Sequence, residues 1–269
     1  MSNAREYYDR TSSEYVAKWA HLDPNTSDPG LYLRGRLIED LVDMAHIRSG
    51  ERVVEIGSGT GLVLKEALQK TRPVYGTDIS ADMLEQGSKS VLSDFAVEIV
   101  PEFTDSLPPA DVYLTVEDIR NVSLPSGFFD VVLSLEVLRY VDDVDRALRS
   151  VRGILGDQSR FVFSVTNPLS SSFFPIKYRT RQLLGRVDPE SELLQYFETE
   201  RSIRRRVHAA GLRVVDFRRN SLPIYRRVAL RSGASRAKAE KVDQMESRLS
   251  KVPLLRALFD TFLVSTKPR

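Results

Sequence analysis

Val53-Val54-Glu55-Ile56 runs straight into Gly57-Ser58-Gly59-Thr60-Gly61, and a helical run over 62–68 follows at once. Alternate glycines let a chain turn tightly and remove the side chains that would hold a ligand away from the backbone. A strand, a glycine turn and a helix in this order therefore make a ligand cradle. Asp78 closes the next apolar run, Val74-Tyr75-Gly76-Thr77. A carboxylate at that strand end is placed to accept both hydroxyls of a ribose through charge-assisted hydrogen bonds. A dinucleotide turn would carry its third glycine one place later than Gly61, and it would not set an acidic side chain, Glu55, in the strand beside a pyrophosphate.

The elements that must hold these residues are readable from periodicity. Apolar runs bounded by turn residues recur at 52–56, 73–78, 112–117, 129–135, 160–165, 212–217 and 261–265, which predicts seven strands. Helical spacing over 62–68, 83–92 and 144–154 separates the first five, so the expected fold is α/β, a mostly parallel sheet with helices on both faces. The continuous Val131-Val132-Leu133 suits a strand buried on both sides. The last strand has no helix after it and is expected to pair antiparallel with 212–217. Two segments interrupt the alternation: 167–200, read as a cap after the fifth strand, and 220–257, helical around 238–249. Residues 5–19 read as an aromatic-rich helix. The expected organisation is an N-terminal helical segment over 1–50 covering the ligand site, then a core over 51–269 carrying both insertions.

Taken in order, Glu55-x-Gly57-x-Gly59-x-Gly61, Asp78, Val116-Glu117-Asp118-Ile119 and Phe129-Asp130-Val131-Val132-Leu133-Ser134-Leu135-Glu136-Val137-Leu138 resemble the motif series of the class I S-adenosylmethionine-dependent methyltransferases. The likeness covers about 53–165 and the terminal strand pair. It implies a Rossmann-like fold and S-adenosyl-L-methionine as cofactor, leaving S-adenosyl-L-homocysteine as product. On this resemblance Glu55 faces the cationic ammonium and Gly57, Ser58, Gly59 and Gly61 hold the amino-acid end. Asp78 takes the ribose, Ile79 and Met83 pack on the adenine, and Asp118 with the Ile119 amide reads its edge. Leu135, Glu136 and Val137 line the sulfonium side. Tyr7 and Tyr15 would close over the cofactor, and Arg34 or Arg36 would reach its carboxylate by a bidentate fork. The link over 87–111 is longer than usual in the family. Arg139-Tyr140 stands where many small-molecule members show a histidine.

An acceptor that must lose a proton needs a base, and Glu136, Tyr140, Asn167, Tyr7, Tyr15 and His21 are the candidates near the expected pocket mouth. His21, His46 and His208 are the only histidines and form no ligand-like pair, so no metal is expected. The chain has no cysteine, which excludes disulfides, thiolate metal sites and cysteine nucleophiles together. No apolar run is long enough to span a membrane and residues 1–6 lack the apolar core of a signal peptide, so a cytoplasmic location is expected.

The net charge of +2 conceals a late cluster comprising Arg201, Arg204, Arg205, Arg206, Arg213, Arg218, Arg219, Arg226, Arg227 and Arg231. A solvated helix face and strand edges account for it; a phosphate track for RNA is the rival account. Base-modifying members of the family carry an Asn or Asp-Pro-Pro-aromatic motif after the fourth strand, and this chain has Ser134-Leu135-Glu136-Val137 there. The expected acceptor is thus a small molecule, methylated on oxygen, nitrogen or carbon. Phe173, Phe174, Tyr178, Tyr196 and Phe197 would favour an apolar or aromatic body. An RNA methyltransferase and a non-catalytic scaffold are the alternatives.

Overall fold

The computed structural model describes residues 3–19, 28–186, 195–230 and 235–269. β1 (Val53–Ile56) and β5 (Phe129–Ser134) are apolar almost throughout, and they lie side by side at the centre of an eight-stranded sheet where both faces are covered. Outward from β1 lie β2 (Val74–Asp78), β4 (Val112–Val116) and β3 (Val97–Ile99); outward from β5 lie β6 (Leu155–Thr166), β8 (Thr261–Pro268) and β7 (Leu212–Asn220). Pairing is parallel from β3 to β6, and β8 runs antiparallel to both β6 and β7.

The mostly parallel sheet and the antiparallel terminal pair agree with expectation, but the strand count does not. The overlooked strand, β3, lies in the long link between β2 and β4, has three residues and pairs on one side only. Glu98 and Ile99 on it are exposed, so it carries little of the burial pattern that reveals a strand. β7 also runs past 217 through Arg218 and Arg219 to Asn220, because pairing with β8 continues where the apolar pattern has ended.

Successive strand residues face opposite layers. Val54 and Ile56 join a core with Phe161, Phe163 and α5 (Val144–Ile154), whose buried Val144, Ala147, Leu148, Val151 and Ile154 form one helical stripe. Val53, Val131 and Leu133 face the other layer, made by α2 (Pro29–Ala45), α3 (Leu62–Ala67) and α4 (Ala81–Lys89). Asp143 and Ser80 cap α5 and α4 through bonds to the Arg146 and Met83 amides.

α1 (Asn3–Trp19) stands apart from both layers and packs chiefly on α4. Arg5 Nε donates to the Ile79 carbonyl at 2.9 Å and Ser80 Oγ to Asp9 at 2.5 Å, which fixes α1 across the carboxyl edge of β2. α2 instead packs on the core, against α3 and α9 (Arg236–Leu249). The segment after β6 contains α6 (Phe174–Leu183). α7 (Glu200–Ala209) precedes β7, and α8 (Pro223–Ala229) and α9 lie between β7 and β8.

Candidate active site

Sheet order reverses between β1 and β5, so the loops leaving these strands diverge and open a crevice at the carboxyl edge. Gly57 follows β1 and Val137 follows β5, and the two touch. A Cβ on Gly57, whose φ is +77°, would sit 2.2 Å from Val137 Cγ2. Only glycine tolerates both the left-handed backbone and this approach. The turn hangs from β2 by two bonds: the Gly57 and Ser58 amides donate to the Thr77 carbonyl at 2.7 and 2.8 Å.

Above this edge lies a cleft of about 810 Å³. Its floor holds Gly57, Gly59, Asp78 and Leu135, with Ile79, Met83, Asp118 and Ile119 at one end. The other end is walled by Tyr7, Tyr8 and Tyr15 of α1, Arg34, Glu136, Val137, Arg139, Tyr140 and Phe174. The tyrosines meet edge to face, Tyr8 lying 6.2 Å from Tyr15 and 5.9 Å from Tyr140 between ring centroids.

Asp78 is buried, and its two oxygens accept the Gly59 and Ser80 amides at 2.8 and 3.0 Å. Each carboxylate oxygen has a second lone pair, so the same side chain can grip the turn and still accept hydroxyls. Burial raises its pKa against the lowering effect of those amides. Asp118 accepts the Arg120 amide at 2.9 Å and is also forked by the Arg120 guanidinium, which reaches on to Asp142 at 3.0 Å. Burial pushes Asp118 up, but Arg120 outweighs it and holds the carboxyl below its ordinary value.

Three residues of the turn motif stand behind the cleft wall, not in it. Gly61 opens α3, the Ser58 hydroxyl is buried, and Glu55 is 2% exposed with no hydrogen-bond partner at Oε2 among the described residues. Burial, with Asp78 nearby, raises Glu55 well above the usual carboxylate range; Arg34 opposes this. A buried carboxylate with an unpartnered oxygen beneath a glycine cradle suits a cationic group in the turn, so these residues fit the amino-acid end of S-adenosylmethionine.

Other expectations are corrected. Arg36 is turned out of the cleft and pairs with Glu39, Asp40 and Asp243, because residues two apart on a helix face different sides. Arg34 is the one that enters, where it meets Glu136. Glu136 has a φ of +59° and its amide donates to Ser164 Oγ at 2.6 Å, which aims the side chain back toward Arg34 and Arg139. Burial raises its pKa, yet the two guanidiniums prevail and hold it below the usual value. Asn167 is spent on structure, its amide donating to the Ala257 and Phe259 carbonyls at 2.8 and 2.7 Å. Tyr15 is pushed up to about 12 by burial, and Tyr8 is raised further by burial and by Tyr140. His21 lies outside the described residues.

Of the aromatics expected to select an acceptor, Phe174 lines the cleft and Tyr178 is buried beneath it. Tyr196 and Phe197 border a separate hollow of about 330 Å³. Sequence reasoning overlooked Tyr8, Glu14, Lys18, Arg120 and Arg139 as wall residues. The signal was present in α1, where Ala4, Tyr8, Thr11, Tyr15 and Lys18 recur at three- and four-residue spacing and so share a face. Much of the late arginine cluster is engaged internally: Arg204 and Arg219 with Glu200, Arg206 with Asp145 and Glu198, Arg218 with Asp216, and Arg226 with Glu246. Arg231 lies outside the described residues.

Comparison with known proteins identifies the family and the fold. The sequence profile of a family described as a methyltransferase domain matches residues 31–216, more than half of the chain. The ubiquinone/menaquinone biosynthesis C-methyltransferase UbiE of Ralstonia pickettii is 27% identical over 191 residues, covering 65% of this chain and 73% of that protein. Its counterpart in Methylococcus capsulatus is 29% identical over 124 residues, 45% of either chain. Among solved structures, magnesium protoporphyrin IX methyltransferase from Synechocystis with bound S-adenosyl-L-homocysteine superposes with a TM-score of 0.62 at 12% identity, covering 99% of this chain and 98% of that one. Identity that low carries the fold alone.

Proposed function

Because the chain belongs to the methyltransferase-domain family and is an S-adenosylmethionine-dependent methyltransferase, we propose that its acceptor is a small molecule with an aromatic or apolar body, bound between α1 and α6. One observation carries this reading: a single cleft runs from the glycine turn and Asp78 to the walls formed by Tyr8, Tyr15, Tyr140 and Phe174. Likeness to enzymes whose names specify quinone methylation supports an acceptor of that size and character.

The cofactor supplies an electrophilic methyl group on a sulfonium, transferred by in-line displacement. We assign its amino-acid end to Gly57 and Gly59, with the Glu55 carboxylate beneath as counter-charge, and its ribose to Asp78. Ile79 and Met83 flank the adenine, and Asp118 and Ile119 meet its edge. The aromatic wall orients the acceptor and excludes water, the main contributions a protein makes to such a displacement. Among the described wall residues, Glu136 is held ionised by two arginines, and Tyr8 and Tyr15 are held protonated. None of the three suits a general base, so a base drawn from the candidates on the described wall would be Tyr7 or Tyr140, and an acceptor that arrives nucleophilic, such as an amine, a phenolate or an electron-rich ring carbon, would need none.

Calorimetric titration with S-adenosylmethionine, S-adenosylhomocysteine and NAD tests the cofactor assignment, with binding of the first two alone expected. Incubation with cofactor and fractionated metabolite extracts, read by mass spectrometry for gain of one methyl group, tests the acceptor. Methylation confined to RNA fractions, falling steeply with salt, would transfer the activity to the rival class.

A further inference from the structure

We propose that the segment 167–186, with α8 beside it, seats the protein on a membrane surface that carries anionic phospholipid. α6 buries only Pro175 and Tyr178, a stripe too narrow to hold down a helix with this many apolar side chains. Phe173 and Ile176 are more than half exposed, and Leu183 and Leu184 are 88% and 61% exposed. Leu169, ahead of the helix, is 56% exposed. Large apolar residues gathered in one exposed segment mark an interaction surface, whereas scattered ones mark nothing.

The charge between them selects the partner. Lys177, Arg179, Arg181 and Arg186 are all exposed and no aspartate or glutamate occurs from 167 to 186, although Arg179 also borders the hollow lined by Asp142, Asp143, Asp145 and Glu198. Exposed apolar side chains interleaved with cations along one segment match the boundary between acyl chains and anionic headgroups. There the leucines enter the apolar layer and each cation gains from the surface potential. A nucleic-acid track would account for the cations and leave the leucines unexplained.

The face continues beyond this segment. Ser171 Oγ accepts the Ile224 amide at 3.2 Å, which ties the segment to the start of α8, and the Ser171 amide donates to the Leu258 carbonyl ahead of β8 at 3.0 Å. α8 adds exposed Ile224 and Val228 and the exposed Arg227, whereas its other arginine, Arg226, is engaged by Glu246. Phe174 and Arg181 belong both to this segment and to the wall of the cleft, so the cleft borders the proposed contact. No described helix is long and apolar enough to cross a membrane, so the contact lies on the surface of the bilayer.

Vesicle flotation tests this without reference to methyl transfer. The protein is mixed with vesicles of phosphatidylcholine alone or with about one-third phosphatidylglycerol. Flotation with the anionic vesicles only, weakened by salt, is expected. Leu183→Glu with Leu184→Glu should weaken it by roughly tenfold or more. Lys177→Glu and Arg186→Glu should each weaken it about fivefold or more. These positions are exposed and outside the cleft, so melting temperature and S-adenosylmethionine binding should stay as in the parent. Equal flotation with both vesicle types, or unchanged flotation of the leucine double variant, overturns the proposal. So does a dimer, seen by light scattering without lipid, that the leucine double variant dissociates, since the face would then join two copies of the chain. Binding to single-stranded RNA that the leucine variant leaves intact, in a protein that does not float, assigns the cations to nucleic acid and also overturns it.

Discussion

The Gly59 amide donates to Asp78 Oδ2 at 2.8 Å, so the turn that follows β1 and the carboxylate that ends β2 are one hydrogen-bonded unit. Asp78 therefore has two duties: it shapes the cradle and, on the proposed reading, it binds the ribose. Its other oxygen holds the Ser80 amide at 3.0 Å, and the Ser80 hydroxyl in turn bonds Asp9 of α1 at 2.5 Å. The cleft floor and the helix across it are linked through these residues.

Substituting Asp78→Ala is expected to weaken S-adenosylmethionine binding at least about a hundredfold, since two charge-assisted bonds to the ribose are lost. It should also lower stability by about 1–3 kcal/mol, because the Gly59 and Ser80 amides lose their acceptor. Asp78→Asn, which keeps a carbonyl oxygen for one amide, should recover part of the stability and little of the affinity. Calorimetry and thermal melting separate the two effects. Parental affinity in the alanine variant would remove Asp78 from the ribose site.

Glu55 offers a pH test with a definite sign. Its folded pKa lies above the unfolded value of about 4.3, so its favourable contribution is full below that pH and is lost as pH rises through the folded value. Glu55→Gln removes this loss. Urea midpoints of the cofactor-free protein between about pH 5 and 8 should therefore fall less with pH in the variant than in the parent. The same substitution should reduce cofactor affinity by removing the counter-charge beneath the turn. A variant less stable than the parent throughout that range would contradict the buried, unfavourably placed carboxylate.

Breaking the Arg34–Glu136 pair should be worse than removing it whole. Arg34→Met alone leaves Glu136 with Arg139 as its remaining partner, 3.6 Å away, and is expected to cost about 1–3 kcal/mol. The double variant with Glu136→Gln should cost less than the two single changes together, with a coupling of at least about 0.5 kcal/mol. Because Glu136 is not assigned as the base, Glu136→Gln should leave the pH dependence of kcat unmoved. Loss of an acid limb from that profile would restore the catalytic assignment.

Gly57→Ala would place a methyl against Val137 at a left-handed φ and should destabilise the protein by about 2–4 kcal/mol, part from backbone strain and part from overpacking. Val137→Ala relieves only the second, so the double variant should regain part of the loss. Chemical denaturation of the four proteins in this cycle measures it. No recovery would mean that the two loops do not touch as described.

The elements that follow from local pattern were legible in the sequence. The glycine turn, Asp78 and Asp118 lie at strand ends, and the alternation of strands with helices placed those ends on one edge of a parallel sheet before any coordinate was known. β3 and the outer half of β7 escaped because their pairing partners, not their own apolar pattern, make them strands. Arg34 and Arg36 were indistinguishable in a linear reading; two residues of helical rotation, set by how α2 packs on the core, put one in the cleft and the other in a salt-bridge cluster. Glu136 and Asn167 have the composition of proton acceptors, and only their neighbours reveal a carboxylate clamped by two guanidiniums and an amide spent on main-chain carbonyls.

The amino-acid sequence by itself determined the mostly parallel sheet with its antiparallel terminal pair and the cofactor class, because these follow from short-range pattern and from backbone that only glycine allows. Tertiary structure decided which charged groups meet, which side chains are desolvated, and that three tyrosines from α1 and one from the loop after β5 form a single wall. Those outcomes depend on contacts between residues far apart in sequence, 102 positions for Arg34 and Glu136 and 207 for Arg36 and Asp243, and no local pattern encodes a distance of that kind.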